Sequence, residues 1–211
     1  MSLNKKDSIT IIFIISSFLL YKIFPTSGSF QDILLIVIIF IVFPILFEKC
    51  ILKNKNKEAI FCISDWKKGL IFSGLSLLFS VLVFVFLVVF FGFFDKYTIL
   101  KVVGGGFAEF IVYELMVVVF FVGICEFYFR KFILNAFRKR IGSRSIFVQT
   151  LFFYTLFLMI NNRAFYLFLP YLIFAPLAGL IYYKSNSLLY SFMSQFLLIF
   201  FLDLISIKIN S

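Results

Sequence analysis

The chain has 211 residues, of which 63% are apolar, 22% aromatic and 14% charged, and it carries a formal charge of +10. A soluble domain has about a quarter of its residues charged and about half apolar, and no fold of this length has interior enough to hide the surplus hydrocarbon. That excludes a soluble enzyme or a nucleic-acid-binding domain and makes lipid the solvent.

A spanning helix needs about 20 mostly apolar residues. In chain order, such runs lie at 8–24, 30–47, 69–94, 107–129, 146–160, 164–183 and 188–207. They predict an all-α, polytopic transmembrane bundle of about seven spanning helices. Lys5 and Lys6 before the first run also fit a signal peptide, but the run is long enough to stay as an anchor. Between the second and third runs comes a polar loop, Lys49 to Lys68, with Trp66 placed at headgroup level. The third run is long enough to tilt. Gly104–Gly106 follows it with no strand ahead, so a hinge is expected there rather than a phosphate cradle. After the fourth run, Ile133, Ala136, Phe137 and Ile141 fall at helical spacing with basic residues on the other faces. That pattern predicts a cytoplasmic interfacial helix over 131–144 lying on anionic lipid, or else an ordinary basic loop. The fifth run is short, with Gln149 and Asn161–Asn162 near its ends. The whole is expected to be one integrated membrane domain, with N-terminal helices and their basic loop over 1–106 and a core over 107–211.

Orientation follows from the basic residues. With the N-terminus in the cytoplasm, 15 of the 20 Lys and Arg fall inside, leaving Lys22, Lys96, Lys101, Arg163 and Lys208 outside. Cytoplasmic loops carry such an excess, so the C-terminus is expected outside, in the plasma membrane of a bacterium. Cys50, Cys62 and Cys125 are odd in number, lack metal-ligand spacing and fall at or near the cytoplasmic side. Free thiols are expected.

Charges inside the bilayer each need a reason, since one at its centre costs about 2.5–3.5 kcal/mol on insertion scales. Asp32 and Glu109 lie near helix starts, where water or the helix N-terminus satisfies them. Glu114 and Asp203 lie deeper and are candidates for buried polar positions. Glu126 and Arg130 are four apart and share a helix face. By spacing alone they form an ion pair ending the fourth helix, with Arg130 reaching to the interface.

The residues around that pair carry a resemblance. Cys125-Glu126-Phe127-Tyr128-Phe129-Arg130-Lys131-Phe132-Ile133, followed by Arg138-Lys139-Arg140-Ile141-Gly142, resembles the first motif of the CPBP intramembrane protease family, E-E-x-x-x-R with a basic stretch and a Gly behind it. That family covers CAAX prenyl proteases and bacteriocin-processing or immunity proteins (Abi). The run Ala178 to Leu188 is similar to the approach to its last motif helix, so the resemblance spans roughly Phe107 to the C-terminus. It implies a helical membrane fold and, in catalytic members, F-x-x-x-H and H-x-x-x-N/D motifs that activate zinc or water. Here Cys125 stands for the first Glu. The second-motif His position falls near 156–158, after Phe153 or Tyr154. Gln195 stands for the third-motif His, with Ile199 where Asn or Asp is expected. The chain has no histidine at all.

The resemblance thus implies the fold and argues against the chemistry. Cys125, Glu126, Arg130 and Gln195 are read as a motif remnant, with no metal and no cofactor. The expected function is a non-catalytic member that binds or scaffolds another membrane or cell-envelope protein, such as a cell-wall enzyme, with membrane lipids as its surroundings. The alternatives are a bacteriocin self-immunity protein, a residual protease using Glu126 and Cys125, and a small transporter or transporter subunit using Glu114 and Asp203.

Overall fold

The computed structural model describes residues 5–25, 28–51, 65–97, 99, 106–160 and 165–210. These are helical throughout, with no strand among the described residues. α1 is Lys5–Ile23. α2 runs through Ser29–Val37, a π-helical stretch at Ile38–Val42 and Phe43–Cys50. α3 is Trp66–Phe91, followed by a helical turn at Phe93–Lys96. α4 comprises Phe107–Tyr113, Glu114–Val118, Val119–Cys125, Glu126–Leu134 and Asn135–Ile141, of which the second and fourth are π-helical. α5 is Ser145–Ile160, α6 Phe165–Ser185 and α7 Leu188–Asn210. Most of the 49–68 loop with Cys62, Gly104 and Gly105 of the expected hinge, and Asn161–Arg163 lie outside the described residues.

Among the described residues, five stretches are long and apolar enough to cross a membrane: Phe30–Cys50, Trp66–Phe91, Phe107–Met159, Phe165–Ser185 and Leu188–Ile209. The third spans 53 residues, about 80 Å at 1.5 Å per residue, against a hydrocarbon core of about 30 Å. It therefore holds two of the expected runs, α4 and α5, folded back at Gly142. That residue has φ +56°, a backbone that side chains disfavour and glycine tolerates. α1 falls outside the five because any 18 of its residues include at least three of Lys5, Lys6, Asp7 and Lys22.

Two details explain how the helices dock. Pro176 inside α6 cannot donate to Leu172, and the freed carbonyl accepts the Tyr154 hydroxyl of α5 at 3.0 Å. Four residues apart on α6, Ala175 and Gly179 meet Gln149. The Gln149 amide donates to the Ala175 carbonyl at 3.0 Å, and a Cβ at Gly179 would lie 2.6 Å from that nitrogen. One core gathers residues of α1, α2, α4 and α5 with Tyr171 and Ala175 of α6 and Ile199 of α7, and a second joins α3, the segment after it, α6 and α7.

The segment expected as a separate interfacial helix continues α4 without a break. Phe132, Ile133, Leu134 and Phe137 are buried, so its apolar face meets the bundle instead of lipid. Basic side chains around it are engaged locally. Arg140 pairs with Asp7 of α1, and Arg138 donates to the Tyr183 carbonyl at 2.8 Å while stacking on that ring at 4.5 Å. Lys184 lies over Phe72 near the start of α3. Residues assigned to the cytoplasm by charge thus meet at one end of the bundle.

Candidate functional site

The site lies where α4 faces α7. The carboxylate of Glu126 lies 3.5 Å from Arg130 Nε, an ion-pair contact too long for a good hydrogen bond, with side-chain exposures of 3% and 0%. The second oxygen of Glu126 accepts from Ser191 Oγ on α7 at 2.5 Å. Arg130 donates to the Cys125 carbonyl at 3.1 Å and to Gln195 Oε1 at 3.4 Å, and its guanidinium lies 5.8 Å from the Phe153 ring centroid. Glu126 opens the nine-residue π-helical stretch of α4. Such widened turns are rare and recur at functional sites.

All four remnant residues therefore converge. Arg130 is the hub, touching Glu126, the Cys125 backbone and Gln195. The expectation that Arg130 reaches the interface is corrected: α4 runs eleven residues further, to Ile141, and carries the pair into the interior. The Cys125 thiol is buried and in no disulfide, while Cys50 is exposed. Phe153, one of the two aromatics considered for the second motif, is buried, as is Phe157 one turn beyond it. Ser191 escaped the sequence reading, although it lies four residues before Gln195 and so shares its helix face.

Glu114 and Asp203 do not join this cluster. They form a second polar layer between the same helices, 12 residues earlier on α4, roughly 18 Å along its axis. Both are 1% exposed. Glu114 opens the other π-helical stretch of α4. Val118, Val122 and Ile199, each no more than 1% exposed, fill the space between the layers. Ile199 thus puts hydrocarbon where the resemblance expects Asn or Asp. Tyr97, in the segment after α3, donates its hydroxyl to Asp203. Burial first, and then the neighbouring Asp203, hold that phenol well above its ordinary range. Nothing in the sequence pattern marked Tyr97. Asp32 and Glu109 are exposed in the first turns of α2 and α4, as expected.

Residues 107–201 match the model of a family described as type II CAAX prenyl endopeptidase Rce1-like. This segment, under half of the chain, is similar to that family. It is the resemblance carried by the residues around Glu126 and Arg130, and the match takes in the whole Arg130 hub and Glu114 but stops short of Asp203. No curated protein and no solved structure matches the chain.

The Rce1-like segment does not fit the zinc that the resemblance implies. The sequence supplies no imidazole, and no group of three or more His, Cys, Asp or Glu converges among the described residues. Of the oxygen donors near Cys125, Glu126 is engaged by Arg130 and Ser191, and the Gln195 carbonyl by Arg130. A guanidinium occupies the centre of the cluster, and a fixed cation repels a metal ion.

Proposed function

We propose that the protein is a non-catalytic Rce1-like membrane protein that acts by binding another membrane or cell-envelope protein. One observation carries this reading: Arg130, buried and always charged, neutralises Glu126 and engages Gln195, the two side chains that the motif would turn to chemistry. Glu126 is buried, with one oxygen accepting from Ser191 and the other facing Arg130, so a water has no open approach to it. Activation of water by a carboxylate needs that approach. Cys125 offers no substitute, because a nucleophilic thiolate needs a cationic partner of its own and an open path. What the chain still offers is a rigid bundle with apolar outer faces and a basic end.

The test has two arms. Purified protein is incubated with quenched peptides, including one with a prenylated CAAX end. Crosslinking in native membranes is followed by reconstitution of the purified chain with the crosslinked protein. No cleavage together with a reproducible stoichiometric complex supports the proposal. Cleavage that Glu126→Gln abolishes overturns it, as does a chain that remains alone in native membranes and fails to form any complex on reconstitution.

A further inference from the structure

Two carboxyl side chains face each other between α4 and α7 with no cation beside them. Glu114 and Asp203 are almost wholly buried and within hydrogen-bonding reach of one another. Neither joins an ion pair among the described residues. Apart from this mutual contact, neither oxygen of Glu114 nor Oδ2 of Asp203 has a hydrogen-bond partner. The remaining oxygen, Asp203 Oδ1, accepts from Tyr97, whose own side chain is buried. The Tyr97 carbonyl in turn accepts from Ser206 Oγ of α7 at 2.7 Å. The other titratable neighbours are the phenols Tyr113 on α4 and Tyr171 on α6, with Cys125 beyond Tyr171. Asp95, Lys96, Glu109 and Lys208, the charged residues at this end of the same elements among the described residues, are exposed.

Two ionised carboxylates placed so would repel through a low-dielectric interior and leave three acceptor atoms with no donor. One proton removes the repulsion and leaves only one of the three oxygens without a partner. It neutralises one carboxyl and becomes the donor in an O–H···O bond to the other, as in carboxyl dyads that titrate as a unit. We propose that Glu114 and Asp203 form a proton-binding site that ties α4 to α7 and, through Tyr97, to the segment after α3. Release of the proton to solvent leaves two repelling carboxylates and loosens that end of the bundle. The site stands apart from the Arg130 hub and does not depend on whether the protein is catalytic.

Infrared spectra of the purified protein at neutral pH should show a protonated-carboxyl C=O band that is absent from the Glu114→Gln/Asp203→Asn double variant. A proton shared between the two carboxyls adds stability while it is bound, and that stability is lost once rising pH removes it. The melting midpoint of the wild type should therefore fall from mildly acidic to alkaline pH more steeply than that of the double variant. If the double variant does not fold, Glu114→Gln carries the comparison, since its amide donates to Asp203 in the proton's place. The band should then be lost and the slope flattened. A wild type without the band at neutral pH, or with the same melting slope as the variants, overturns the proposal.

Discussion

Arg130→Ala removes the hub and leaves Glu126 buried beside Ser191 alone. Wild-type Arg130 supplies the ion pair at 3.5 Å and hydrogen bonds of 3.1 Å to the Cys125 carbonyl and 3.4 Å to Gln195. Gln195 Nε2 is already buried without a partner, so the truncation strands a second group on the same amide. Removing one partner of a buried pair costs about 3–5 kcal/mol, because the other charge is left uncompensated. The side-chain exposures of 0% and 3% place this pair in that range, where an interfacial pair would contribute about 0–1 kcal/mol. For a chain of this size each kcal/mol moves a melting midpoint by about 2–4 °C, so the expected fall is on the order of 10 °C. Glu126→Gln should fall less, since a neutral amide oxygen beside Arg130 can accept from it. The double variant Glu126→Gln/Arg130→Ala should be more stable than the two single losses together predict, because no buried charge remains. The assay is thermal unfolding in detergent followed by loss of monodisperse protein, alongside the partner-binding assay. Arg130→Ala melting like wild type would refute the account of the pair as a buried, mutually dependent unit. Glu126→Gln that melts like wild type yet abolishes function would show a working site in place of a structural one.

In a Cys50→Ser background, Ser143→Cys should resist an impermeant thiol reagent added outside cells, while Asp95→Cys should react; both positions are exposed, and the reverse pattern would invert the orientation. In otherwise wild-type protein a maleimide should modify Cys50 and leave buried Cys125 intact until the bundle is unfolded, as mass spectrometry of digests would show. Gly179→Ala sets a Cβ 2.6 Å from Gln149 Nε2, and overpacking of this kind costs about 1–3 kcal/mol. A midpoint unchanged by that substitution would mean α5 and α6 do not approach as closely as described.

The sequence announced its spans because lipid leaves so little choice: a backbone without water must become helix, and the runs that do so are apolar by necessity. It also announced the hub, since Glu126 and Arg130 share a face by spacing and Gln195 falls where the third motif requires a side chain. Depth was harder to read. A basic stretch beginning at Lys131 reads as a helix end, whereas Phe132, Ile133, Leu134 and Phe137 carry the helix on into the protein. Charge marked the boundary of the apolar run, and packing against α1, α5 and α6 then hid the pair behind it. Tyr97 illustrates the other limit. It follows a helix that stops at Gly92, φ +57°, and only the tertiary fold brings its hydroxyl to Asp203, 106 residues away.

The interface of α4 and α7 bears on how helices in such a fold choose their neighbours. Hydrocarbon side chains give helices in lipid little reason to prefer one neighbour over another, because the lipid is equally apolar. Polar groups supply the preference, since each one is costly until it finds its partner. Here α7 presents Ser191, Gln195 and Asp203, and α4 answers with Glu126, Arg130 and Glu114. The layers are about 12 residues apart with hydrocarbon between them, so sliding α7 by one turn would separate both sets at once. Replacing Glu126 and Arg130 with a matched apolar pair should therefore leave stability near wild type while loosening the register of the two helices. Disulfide trapping tests this: cysteine pairs placed across the interface in register, and offset by four residues, should crosslink only in register in the wild type and at both spacings in the apolar variant. In-register crosslinking alone in both proteins would show that the ion pair is not what fixes the alignment.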